Sequence, residues 1–187
     1  MYTKDKKSIA FTGHRPDKLY GYDINNEKYR MLRARLYLLL GNEISHFNVD
    51  TFITGGALGF DTIAFEVVEE LKQHYNVSQQ ILAIPFESQA SKWSQENVNK
   101  YNQMKTKALN VYVDREEGYA IKGFEPDVYH PAKMQKRNEW MVDKCDKLLA
   151  CWDGVKKGGT WNCVRYAQKL GKEIIVINPS TLEISYI

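Results

Sequence analysis

The chain of 187 residues has three cysteines, Cys145, Cys151 and Cys163, and no CxxC spacing among them. An odd number without that spacing supplies neither a disulfide framework nor a zinc site, and it points to a reduced, cytoplasmic setting. Four scattered histidines add no ligand cluster, so no metal and no cofactor is expected. Long apolar runs are missing too. The longest cluster, Leu36–Leu40, falls far short of the roughly 20 residues that a membrane-spanning helix needs. After the basic start MYTKDKK, Ile9-Ala10-Phe11 is too short for the apolar segment of a signal peptide. An excess of one charge is also lacking. Net charge is only +3, without the clustered basic residues of a dedicated nucleic-acid binder, so nucleic acid is not expected as a partner.

Two nucleotide motifs fail as well. Gly55–Asp61 reads GGALGFD rather than GxGxxG, so the ordinary dehydrogenase fingerprint is absent. No GxxxxGK[ST] occurs, which removes the P-loop ATPases.

What is present is an ordinary globular composition, 43% hydrophobic and 26% charged, in a length that fits one domain, 1–187. Short apolar runs alternate with helical spacing. Strands are expected at Ser8–Thr12, Thr51–Thr54, Ile81–Ile84, Val111–Val113, Leu148–Trp152 and Glu173–Ile177. Helices are expected at Glu27–Leu40, where Gly41-Asn42 either ends the helix or kinks it, from Asp61 to about His74, and over Gln89–Leu109, Lys133–Lys144 and Trp161–Leu170. Continuous apolar strands alternating with helices imply a single doubly wound α/β domain, a mostly parallel sheet with helices on both faces and a core from about 8 to 179. The segment 114–131 has no period and reads as a lid-like loop.

Right-handed crossovers place the strand-to-helix loops on one edge of the sheet, where open α/β sheets bind ligands. Those loops carry Gly13-His14-Arg15; Gly55, Gly56, Ala57, Gly59 and Asp61; Phe86; and Asp153 with Gly158-Gly159-Thr160. Glycine loops that open helices present backbone N–H groups and a positive dipole end to an anion, and Arg15 or Arg137 could add a bidentate fork. Asp61 either complements its helix dipole or accepts from a ribose hydroxyl, and His14 is either a ligand donor or a structural histidine. Thr160 caps its own helix or offers its hydroxyl to a ligand. Phe86, at a strand end, suits a pocket wall. Lys156 and Lys157 read as a solvated turn, and Lys133, Lys136, Arg137, Lys144 and Lys147 mostly as the wet face of a helix.

Taken together, TGHRP after the first strand, GGALGFD after the second, PFESQASKW after the third, then MQKRNEWMVDKCDKLLACWDG and GGT resemble the YpsA-like branch of the SLOG superfamily. That group shares a Rossmann-like core with LOG phosphoribohydrolases and DprA. The resemblance implies a nucleotide pocket in which Gly55, Gly56, Gly59, Asp61, Arg137, Asn138, Gly158, Gly159 and Thr160 match the ligand-binding motifs. One departure bears on mechanism. LOG hydrolases resemble one another in a PGGxGTxxE loop, whose glutamate works with an arginine. Arg137 matches that arginine, but the loop here is GVKKGGTWNC, with Cys163 at the glutamate position. Cleavage of an N-glycosidic bond needs a placed carboxyl group. The expectation is therefore a small nucleotide ligand, ADP-ribose-like or cyclic, bound without turnover by a sensor or sequestering protein. The alternatives are a LOG-like hydrolase using Arg137 and a DprA-like single-stranded DNA module. A fourth reading is a purely structural or interaction role, with a homo-oligomer formed through the Leu-rich or Tyr-rich helices.

Overall fold

The computed structural model describes residues 5–187; residues 1–4, most of the basic start, lie outside them. In chain order the elements are β1 (Lys7–Gly13), α1 (Glu27–Phe47), β2 (Val49–Thr54), α2 (Phe60–Leu71), β3 (Gln79–Ile84), α3 (Gln95–Lys107), β4 (Leu109–Tyr112), α4 (Pro131–Asp143), β5 (Lys147–Cys151), α5 (Gly158–Lys169), β6 (Glu173–Ile177) and β7 (Ile184–Tyr186). Seven strands form one sheet in the order β4-β3-β2-β1-β5-β6-β7. All pairings are parallel except β6 with β7, which is antiparallel. The fold is α/β and Rossmann-like, as the alternation of strand and helix patterns predicts.

Period-two alternation splits the strand side chains between two cores. Ile9, Phe11, Phe52, Leu149 and Ile175 pack with α1 and α2 on one face. Ala10, Ile53, Leu148, Ala150 and Ile174 pack with α4 and α5 on the other. A third cluster joins Leu82 and Ile84 to Phe65 of α2 and to Tyr101 and Met104 of α3. From β1 the chain winds outward through β2, β3 and β4, then returns to lay β5 against the other side of β1. Strand order therefore reverses between β1 and β5, where Gly13 stands opposite Cys151.

Several expected boundaries move for physical reasons. Helix α1 neither ends nor kinks at Gly41-Asn42. It runs on to Phe47, because buried Glu43 in its last turns pairs with buried Lys147 of β5 at 2.9 Å, and Asn48 closes it in the left-handed conformation. The polar helix after β3 starts later than its apolar stripe suggests. Glu87–Ala90 is a 3-10 turn, and α3 begins at Gln95, with the Ser94 hydroxyl accepting from the Asn97 N–H. Helix α4 begins at Pro131, and His130 Nδ1 accepts from the Ala132 N–H at 3.2 Å. Strand β7 lies past the expected end of the core.

Two lysines assigned to a wet helix face are buried. Lys133 reaches Asp114 at 3.1 Å and the Glu125 carbonyl at 2.8 Å, and Lys147 is shared by Glu43 and Glu173. Neither partner of Lys133 is near it in sequence. Asp114 also accepts from the Asp127 N–H at 2.9 Å, and Arg115 joins Asp127 to Glu87. The irregular segment 114–131 is thus tied at its base to α4 and to the turn after β3.

Candidate functional site at the strand-order reversal

Outside the carboxyl ends of β1 and β5 lies a cavity of about 370 Å³. Four segments build it. The turn after β1 contributes Gly13, His14 and Arg15, then Asp17 and Lys18 of a 3-10 turn spanning Pro16–Lys18. The loop before α2 contributes Ala57, the first turn of α2 contributes Asp61, and α4 contributes Met134, Arg137, Asn138 and Met141. The fourth wall is the start of α5, Lys157 to Thr160.

The loop 55–61 is not the open cradle that its glycines suggest. Three of its N–H donors are used within the protein. The Gly56 N–H donates to the Thr54 hydroxyl at 3.2 Å, the Ala57 N–H to the Asp61 carboxylate at 3.3 Å, and the Phe60 N–H to the His14 carbonyl at 3.2 Å. Gly55 and Gly56 stand behind the cavity wall. Gly55 is pressed on the Arg137 guanidinium, and Gly56 on Leu82 and Tyr101. Gly59 faces away from this cavity, against the backbone of His14 and Arg15.

The α5 loop is the reverse. Lys157 at the N-cap gives no side-chain cap, and a Cβ on Gly158 or Gly159 would meet nothing within 4 Å. The first-turn N–H groups of a helix have no partner within it, so this end turns uncommitted donors and a positive dipole towards the cavity. Thr160 is not the cap but the third residue of α5, buried on the cavity side. Nearby cations are also uncommitted: Arg15, Lys18 and Lys157 form no ion pair among the described residues.

Arg137 is buried at the cavity wall. Its Nη1 donates to the Gly55 carbonyl at 2.7 Å and its Nε to Asn138 Oδ1 at 3.0 Å. Burial pulls its pKa down, against the opposing charge of Asp61. Burial in turn raises the Asp61 carboxyl above the ordinary carboxylate range, although Arg137, the Ala57 N–H and Arg15 pull the other way. His14 ties the two strand ends together, with Nε2 3.1 Å from Asp153 Oδ1. Burial raises the Asp153 carboxyl, but the Val155 N–H and His14 outweigh it, so the net direction is down. Asp153 itself stays outside the cavity lining. Phe86 also lies apart, buried and edge-on to Tyr129 at 5.6 Å.

The family model described as the YspA SLOG family (YpsA) matches residues 9–182. The chain belongs to the YpsA SLOG family. Among its relatives, the SPbeta prophage-derived protein YoqJ of Bacillus subtilis is 36% identical over 169 residues, which is 87% of this chain and 98% of that one. A UPF0398 protein of Halalkalibacterium halodurans is 28% identical over 181 residues, 95% and 90% of the two chains. Among solved structures, DNA processing protein A of Streptococcus pneumoniae superposes with a TM-score of 0.60 at 14% identity, covering 95% of this chain. The Helicobacter pylori protein superposes at 0.59 with 20% identity over 92% of this chain. This chain spans 52% and 65% of those two, and at such identities the likeness is one of fold.

For this SLOG chain the position of Cys163 matters most to chemistry. Cys163 is wholly buried in the core under α5, and burial pushes its thiol up to about 12 despite Thr12 and Arg137. It faces the sheet, so the residue at the hydrolase glutamate position does not reach the cavity lining. Lys18, Lys157 and the two methionines of α4 line the cavity without having been singled out for it. For Lys157 a signal existed: it directly precedes the Gly158-Gly159 pair that opens α5.

Proposed function

We propose that this SLOG protein binds a nucleotide or nucleotide-derived signal, ADP-ribose-like or cyclic, in the cavity between β1 and β5, and senses or sequesters it without turnover. The observation that carries this reading is the uncapped start of α5 opening on that cavity beside the uncommitted Arg15, Lys18 and Lys157. Backbone N–H groups and free cations converging on one concave space suit a phosphate, and the adjoining Met134, Met141 and Asp61 suit the nucleoside. Arg137 acts from beneath, holding the Gly55 carbonyl and the loop that carries Ala57 and Asp61. Chemistry is left without its acid at the familiar position, since Cys163 is buried and its thiol is held protonated.

Titration calorimetry against nucleoside phosphates, ADP-ribose and cyclic nucleotides tests the reading. Gly159→Glu is a clean probe, because the site of its Cβ is open and the new carboxylate repels phosphate at the helix end. Binding by wild type that Gly159→Glu abolishes is the expected result. Binding that survives both Gly159→Glu and Lys157→Glu would refute the site.

One observation favours the hydrolase alternative: Asp61 lines the cavity, and burial favours its proton-holding form. A carboxyl of that kind suits a general acid. Release of free base, lost in both Asp61→Asn and Arg137→Ala, would select it. The third reading draws on the Helicobacter pylori neighbour, whose structure describes a single-stranded DNA binding mode. The earlier expectation against nucleic acid has no support from these neighbours, so a single strand belongs among the ligands titrated. Binding that weakens steeply with salt would mark it.

A further inference from the structure

The cavity between β1 and β5 continues outward. Arg15 and Asp17 also line an open cleft leading past Leu58 to Trp93 and the start of α3. Pro16, Tyr22 and Leu58 carry that cleft into a second compartment of about 250 Å³. The partition between the compartments is one residue thick on each side. In the loop before α2, Ala57 lines the first compartment and Leu58 the second; in the turn after β1, Arg15 lines the first and Pro16 lines the cleft and the second. The two segments lie directly on each other. Phe60 N–H donates to the His14 carbonyl, and a Cβ on Gly59 (φ +97°) would stand 2.6 Å from that oxygen.

The compartments differ in chemistry. In the second, the floor is Tyr29 and Ile63, both buried, beside Leu58 and Pro16. Its cations are already neutralised: Arg33 by Glu66 and Glu70, and Lys100 by Glu96. The Asn97 carboxamide has no protein partner among the described residues and offers a polar edge. Tyr22 stands 71% exposed at the rim, an aromatic face with no ring stacked on it among the described residues. The first compartment, by contrast, holds the uncommitted cations and the open end of α5. An apolar floor, a neutralised rim and one free amide select an uncharged ring with a hydrogen-bonding edge and disfavour a phosphate.

We infer that the ligand is two-headed: a phosphate-bearing nucleoside half sits in the cavity between β1 and β5, and a second, uncharged ring crosses over Arg15 and Leu58 into the compartment between α1, α2 and α3. This rests on the nucleotide reading of the first cavity and narrows it, because a lone mononucleotide leaves the second compartment unused.

The test compares two probe sets by calorimetry on the full chain: the four common nucleoside 5′-diphosphates, and the four symmetric dinucleoside diphosphates made from them. At least one dinucleoside probe is expected to bind about tenfold tighter than its nucleoside diphosphate. Asn97→Trp, which fills the second compartment, and Leu58→Asp, which charges its wall, are expected to erase that advantage. Both should leave nucleoside diphosphate binding within about twofold of wild type. Nucleoside diphosphate binding sensitive to Gly159→Glu, with no dinucleoside advantage, overturns the two-headed ligand and leaves the first-cavity reading intact. An advantage that persists in both Asn97→Trp and Leu58→Asp overturns it as well. Failure of every probe on wild type overturns both readings together.

Discussion

Arg137 Nη1 donates to the carbonyl of Gly55 at 2.7 Å, and the same guanidinium fills the space where a side chain on Gly55 would begin, 1.6 Å from a Cβ placed there. The glycine is therefore fixed by a cation that arrives from 82 residues further along the chain. Gly55→Ala should expel the guanidinium, leaving a buried charge unpaired at a cost of about 3 kcal/mol. Urea denaturation reads the loss, and nucleotide titration should show Gly55→Ala as weak as Arg137→Ala. Wild-type stability in Gly55→Ala would show that this packing is wrong.

The same contact marks how far the sequence alone reaches. Gly55-Gly56 after a β-branched strand announces a tight turn, and that turn is there. Nothing local says that its N–H groups close on Thr54 and Asp61 while its carbonyl takes an arginine from α4. Strand and helix identities were legible because apolar runs and the 3.6-residue period are properties of neighbours along the chain. What escaped depends on partners distant in sequence: Glu43 with Lys147, which carries α1 past Gly41, and Asp114 with Lys133, which turns an apparently wet lysine inward. The three-residue strand β7 is too short to show a period, and it is defined by its register on β6.

The Asp114–Lys133 pair gives a second prediction. Both side chains are almost wholly shielded from solvent, and Asp114 Oδ1 has no hydrogen-bond partner among the described residues. Removing one ion strands the other, so Asp114→Ala should cost about 3–5 kcal/mol in denaturant unfolding. Replacing both, as Asp114→Leu with Lys133→Met, should recover most of that cost, since a buried pair gains little over an apolar one of similar volume. A double variant no more stable than Asp114→Ala would show that the pair holds the loop 114–131 by geometry that apolar groups cannot supply.

Asp61 makes stability depend on pH in a direction opposite to most paired carboxylates. Burial raises its pKa in the folded chain, against Arg137, the Ala57 N–H and Arg15. Its contribution is then full below the unfolded value of about 3.9 and is lost as pH rises through the folded value. The stability of wild type relative to Asp61→Asn should accordingly fall as pH rises above about 4, with Asp61→Asn at least as stable at the upper end. Denaturant unfolding of both proteins across that range measures the difference. A difference that grows with pH would mean that Arg137 holds the carboxylate charged.

The last prediction concerns the three thiols, and with them the place where a hydrolase would keep its glutamate. Cys145, Cys151 and Cys163 are all free and buried, and burial raises each thiol, to about 12 for Cys145 and Cys163. A thiol reacts through its thiolate, so none of the three should react with a disulfide reagent in the folded protein, while all three should react after unfolding in urea. The same burial bears on Cys163→Glu. A carboxyl group there enters the core under α5, where an unpaired charge costs several kcal/mol and protonates to escape that cost. Cys163→Glu should therefore lower the melting temperature and release no base from nucleotides. Base release by a folded Cys163→Glu protein would show that α5 can turn this position towards the cavity, and that binding and hydrolysis differ here by one side chain.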